Sequence, residues 1–214
     1  MAAGTLSALL TIFFLNTTRL GLFMGAVFGV IIAASLVLSG TLRIAAALQF
    51  AAVAAVAYFV SFLASFGAQL ALGSLGLLTE AEAGTMSTPG AASPAALLVG
   101  GLVGGFLIIG DVLLLAGGRK QATSSVTLLW SVASAALAFT GWALAPSLGV
   151  ALLHLVHRLH LEGTWPNPQG DVQGIGAAPV IYSVHFVWQI GMAFVIGFVV
   201  SRYTPVSELK GLQP

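Results

Sequence analysis

Cysteine is absent from this 214-residue chain, and charge is nearly so: seven Lys and Arg and six Asp and Glu make up 6% of it. Without cysteine there is no disulfide, no thiolate metal site and no cysteine nucleophile, although the compartment stays open. The net charge of +1 comes with no basic run. That argues against nucleic-acid binding, since phosphate recognition needs clustered Lys and Arg. No Walker loop, dinucleotide fingerprint, GxSxG elbow or HExxH is present, so no catalytic constellation is legible. No lysine falls inside an apolar run, which excludes a retinal Schiff base.

What the chain has instead is apolar length. Hydrophobic residues make up 58% of it and mean hydropathy is +1.05. A soluble domain carries about 25% charged residues, so the composition is that of a polytopic membrane protein with lipid as its solvent. About 20 apolar residues cross a hydrocarbon core about 30 Å thick. Five windows meet that length, at 20–39, 44–66, 95–117, 126–144 and 180–200. The expected architecture is all-α, one membrane domain over 1–214 with five spans, loops at 79–94 and 163–179, and two further pieces. The first is the apolar segment 2–15, read as a retained segment and not as a signal peptide. It is too short to be a comfortable span and reads as interfacial, re-entrant or the start of a long tilted helix. The second lies past Pro146, which ends or kinks the fourth span and leaves Ser147 to Leu161 as an interfacial helix bearing histidines. The sequon Asn16-Thr17-Thr18 reads as a helix end or turn.

The run from Ile44 to Leu78 would measure about 50 Å as one helix. A bend near Gly67 or Gly73, or a neighbouring protein over the protruding end, would absorb the excess. Arg43, Arg119, Lys120, Arg202 and Lys210 fall on one side when five spans are threaded. The positive-inside rule then makes the C-terminus cytoplasmic and the N-terminus external, with Arg19 and Arg158 on the wrong side. If 2–15 crosses as well, there are six spans and the N-terminus moves inside.

Glycines repeat every four residues at Gly21, Gly25 and Gly29, and again at Gly100/Gly104 and Gly101/Gly105. Small residues at this spacing let helix backbones approach closely, either within one chain or against a partner. The first row is the better partner-facing candidate, because terminal spans tend to lie at the edge of a bundle.

Few polar residues lie at membrane depth. Asp111 is the lone acid in LVGGLVGGFLIIGDVLLLAGG, about 9 Å inside the Gly117 end. An acid there faces a partner, a water cavity or the bundle interior. It reads as a proton or cation site, as an ion-pair partner of Arg43, or as a neutral acid bonded to a neighbouring helix. His185 and Gln189 share one face of the last span; a histidine there can ligate haem or hydrogen-bond a carbonyl. His154, His157 and His160 stand three apart, with Glu162 a conceivable further ligand and Trp165 an interfacial anchor. They read as a metal or haem site, or as the wet face of an interfacial helix. Three functions follow: a non-catalytic subunit or scaffold whose partners are other membrane subunits or copies of itself, a small homo-oligomeric proton- or cation-coupled transporter using Asp111, and a haem- or metal-binding protein.

Overall fold

A computed structural model describes residues 1–17, 22–78, 93–117, 124–159 and 177–203. The described residues are helical throughout, apart from short turns, and form an all-α membrane bundle. The helices are α1 (Ala2–Thr17), α2 (Leu22–Leu38), α3 (Ile44–Ser74), α4 (Pro94–Gly117), α5 (Ser124–Ala143), α6 (Val150–Arg158) and α7 (Ala177–Tyr203). Four of them, α3, α4, α5 and α7, are long and apolar enough to cross a membrane; α1 and α2, of 16 and 17 residues, are shorter. Backbone amides in lipid have no water to bond, so apolar runs of this length close their hydrogen bonds as helices.

The helices form a closed ring. Each of α1 to α4 packs on its successor; α5 packs on α7, and α7 returns to α1. The leading segment and the first window are therefore two separate helices, and α1 runs antiparallel along α7. Gly4 lies against Ala193, and Ile12 shares a cluster with Ile181 and Tyr182 near the other end. Met1 and Ser201 consequently line one cavity, so the N-terminus and the end of α7 sit at the same end of the bundle. What holds α1 in the ring is its contact with α7, some 180 residues away.

The α3 helix runs unbroken through Gly67 and ends just past Gly73, with Gly76 at φ 66° in the turn that follows. Its 31 residues span about 46 Å. In its most apolar stretch 22% of residues are buried, against 50% in α4, so α3 presents most of its surface outward. Pro146 does end α5: the chain passes through a π-helical turn, Ala145–Gly149, into α6. A proline that cannot donate to the preceding carbonyl accounts for the break.

The glycine rows face inward. A β-carbon on Gly29 would lie 2.8 Å from the Ala51 carbonyl oxygen, and one on Gly25 would lie 2.9 Å from that of Ala54, so α2 and α3 touch backbone to backbone. Gly21 lies outside the described residues. On α4 the two rows divide their work: Gly100 and Gly104 face Ser61 of α3, whereas Gly101 and Gly105 face Ala135 and Ser134 of α5.

Candidate functional site

The middle of the ring holds a layer of polar and aromatic side chains at mid-depth. Gln189 of α7, fully buried, is its hub. Its amide nitrogen donates to Thr11 Oγ1 (2.8 Å) and to the Tyr58 hydroxyl (2.9 Å), and its carbonyl oxygen accepts from Ser7 Oγ (2.6 Å). One amide thus ties α1, α3 and α7 together, with three of its four hydrogen-bonding positions filled. Ser7 and Thr11 lie one turn apart on α1, which is what lets both reach it.

Aromatic rings extend the layer. Tyr58 stacks on His185 (centroids 5.8 Å apart, planes 14° apart) and meets Trp188 edge-on at 5.1 Å. Phe28 of α2 lies against the same Trp188 at 5.5 Å. Trp188 Nε1 donates to Ser134 Oγ (2.8 Å), and Ser134 in turn donates to the Gly101 carbonyl (2.8 Å), so the chain of bonds ends on the backbone of α4. Below the layer the ring is filled by fully buried Phe50, Ile108, Ile109, Leu113 and Met192.

Asp111 lies in a different place. It is 7% exposed, and its Oδ1 accepts one hydrogen bond, from Gln49 Nε2 at 2.9 Å. Its Oδ2 is buried with no hydrogen-bond partner among the described residues. Arg43, the expected ion-pair partner, stands exposed at the start of α3 and makes no ion pair with Asp111; Gln49, one and a half turns farther along α3, takes that position. Asp111 and His185 are not brought together. They meet α3 at Gln49 and Tyr58, nine residues or about 13 Å apart along that helix.

The other candidates are placed on the outside. His154 and His157 are exposed on α6, whose Leu152 and Val156 are the buried side, and His160 and Glu162 lie outside the described residues. Among the described residues no three His, Asp or Glu side chains gather to hold a metal ion. His185 is half-buried, its ring plane given over to Tyr58.

Sequence reading paired Gln189 with His185 on one face but missed Gln49, Tyr58, Ser7, Thr11 and Ser134. Each is a polar residue within a largely apolar helix, and that is the available signal: such a residue in lipid needs a hydrogen-bond partner. The chain matches no protein-family model, no characterised protein and no solved structure.

Proposed function

We propose that this protein is a non-catalytic helical subunit of a membrane assembly, a rigid body whose partners are other membrane subunits or further copies of itself. The observation that carries this reading is the hydrogen bonding of the central layer. Gln189, Trp188 and Ser134 spend their bonds on one another, on Ser7, Thr11 and Tyr58, and on the α4 backbone. A layer that both fills the ring and satisfies its own polar groups favours one fixed packing. The outward apolar face of α3, which carries exposed Phe59, Phe62, Leu63 and Phe66, is where such a body would meet lipid or a neighbour. By the positive-inside rule the end bearing Arg43 and Arg202 faces the cytoplasm, and both Met1 and the end of α7 go with it. Native mass spectrometry after extraction in mild detergent tests the reading. Foreign subunits in fixed ratio, or integral multiples of the 21.8 kDa chain, support it; a lone monomer under conditions that keep known complexes intact overturns it.

A second reading rests on Asp111. A buried carboxyl with one oxygen unpartnered is the group a proton-coupled transporter would use, because a charge there is costly and a proton removes it. Proteoliposomes settle this: proton-coupled flux lost in Asp111→Asn supports transport, and undiminished flux in that variant ends it.

A further inference from the structure

At one end of the ring α1, α2 and α7 meet around a cavity, and there α2 and α7 stand farther apart than ring neighbours do. At mid-depth Phe28 against Trp188 spaces the two helices. Toward the end that carries Met1 and Ser201, the side chains facing the cavity shorten to Ser35 on α2 and to Ala193 and Gly197 on α7, and a volume of about 510 Å³ remains. Its floor is apolar and buried, made by Ile32 and Leu36 from one side and Ile196 and Val200 from the other. Its rim carries hydroxyls: Ser35, Ser39 and Ser201 are exposed, and Thr41 is half-buried. A β-carbon on Gly197 would meet nothing within 4 Å, so the space beside it is open.

We infer that this cleft binds a phospholipid, with a length of acyl chain along the apolar floor and the glycerophosphate headgroup at the hydroxyl rim. Three observations support that occupant. The cleft belongs to a chain whose solvent is lipid, so phospholipid is the molecule always present at its mouth. Its polarity runs in the order of a phospholipid, apolar inside and hydroxyl-bearing at the bundle end. Its size suits a length of acyl chain: the cleft offers about 510 Å³. That volume lies within the range of pockets that enclose a small ligand or part of a larger one.

The test uses the full chain, stripped of lipid in detergent and titrated separately with dioleoyl phosphatidylglycerol and dioleoyl phosphatidylcholine, with bound lipid read by native mass spectrometry. The natural sequence is expected to retain one lipid. Gly197→Leu, which fills the open space, weakens that retention by about tenfold for every two methylenes displaced. The unfolding midpoint of this variant stays close to that of the natural sequence. Ser35→Leu, at the exposed rim on the opposite helix, weakens it too, and decides the matter alone should Gly197→Leu not fold. Phe66→Leu, on the distant outward face of α3, leaves retention unchanged. No retained lipid of either kind, equal retention in both cleft variants, or an equal loss in Phe66→Leu overturns the inference.

Discussion

Gln189 and Asp111 are both polar residues buried within long apolar helices, yet the bundle treats them in opposite ways. The glutamine amide has donors and acceptors on one planar group, and neighbours on α1 and α3 fill three of its positions. Asp111 has one neutral donor, Gln49, and a second oxygen with none. An amide can be both donor and acceptor to hydroxyls whose own geometry adjusts, so it suits a static joint between helices. A carboxyl satisfied on one side keeps a capacity in reserve. The first residue is a joint; the second is the one position in the described interior where a further bond is wanted.

This contrast can be broken experimentally, beginning where the effect is largest. Gln189→Leu removes three hydrogen bonds and leaves Ser7, Thr11 and Tyr58 without their partner. Unfolding free energy in mixed micelles should fall by about 3 kcal/mol, and hydrogen exchange of α1 should rise above that of α4. If α1 keeps its protection, the joint lies elsewhere. Gly105→Leu attacks the same layer from α4, where even a β-carbon would come within 2.8 Å of Ser134 Oγ. A loss of about 2 kcal/mol is expected, with the Trp188 fluorescence environment altered through its bond to Ser134.

The Asp111 side should respond more gently and in a telling order. Gln49→Leu, which strips the carboxyl of its donor, is expected to cost about 1 kcal/mol. Asp111→Asn keeps an oxygen for Gln49 and should cost less than Gln49→Leu in the same unfolding assay. A larger loss from Asp111→Asn would mean that the second oxygen holds a bond of its own, and the contrast with Gln189 would dissolve. Least affected should be Phe66→Leu, on the outward face of α3, with a change within about 0.5 kcal/mol by thermal unfolding.

Much of the frame was legible before any coordinates. Apolar windows at 95–117, 126–144 and 180–200 fall within a few residues of α4, α5 and α7, because in lipid apolar length and helix length are nearly the same quantity. The window starting at Ile44 found the start of α3 and stopped short of its end at Ser74, since Gln69 and the small residues near it lower the hydropathy without breaking the helix. Gln69 is in fact buried, and its side-chain oxygen accepts from the Ser93 backbone at the start of α4 (2.8 Å). The inward direction of Gly25 and Gly29 was not legible, because a glycine row marks a close approach and does not say which helix approaches. Nor was the partner of Asp111. Arg43 looked right by charge, but Gln49 lies farther along α3 at the depth of the carboxylate, and register decided the matter.

The closure of the ring also sets the order in which the molecule can be made. A ribosome delivers α1 before α7, and the longest-range hydrogen bonds given among the described residues, Ser7 and Thr11 to Gln189, join those two. Until α7 is made, α1 therefore carries hydroxyls whose permanent partner does not yet exist. It has α2 to lean on in the meantime, and beyond that only its own backbone carbonyls, lipid or whatever insertion machinery surrounds it. The bundle becomes a ring only at α7, so a chain released before residue 177 is an open strip of helices with its edges exposed, and the cell's quality control would meet that strip before it ever met the finished protein.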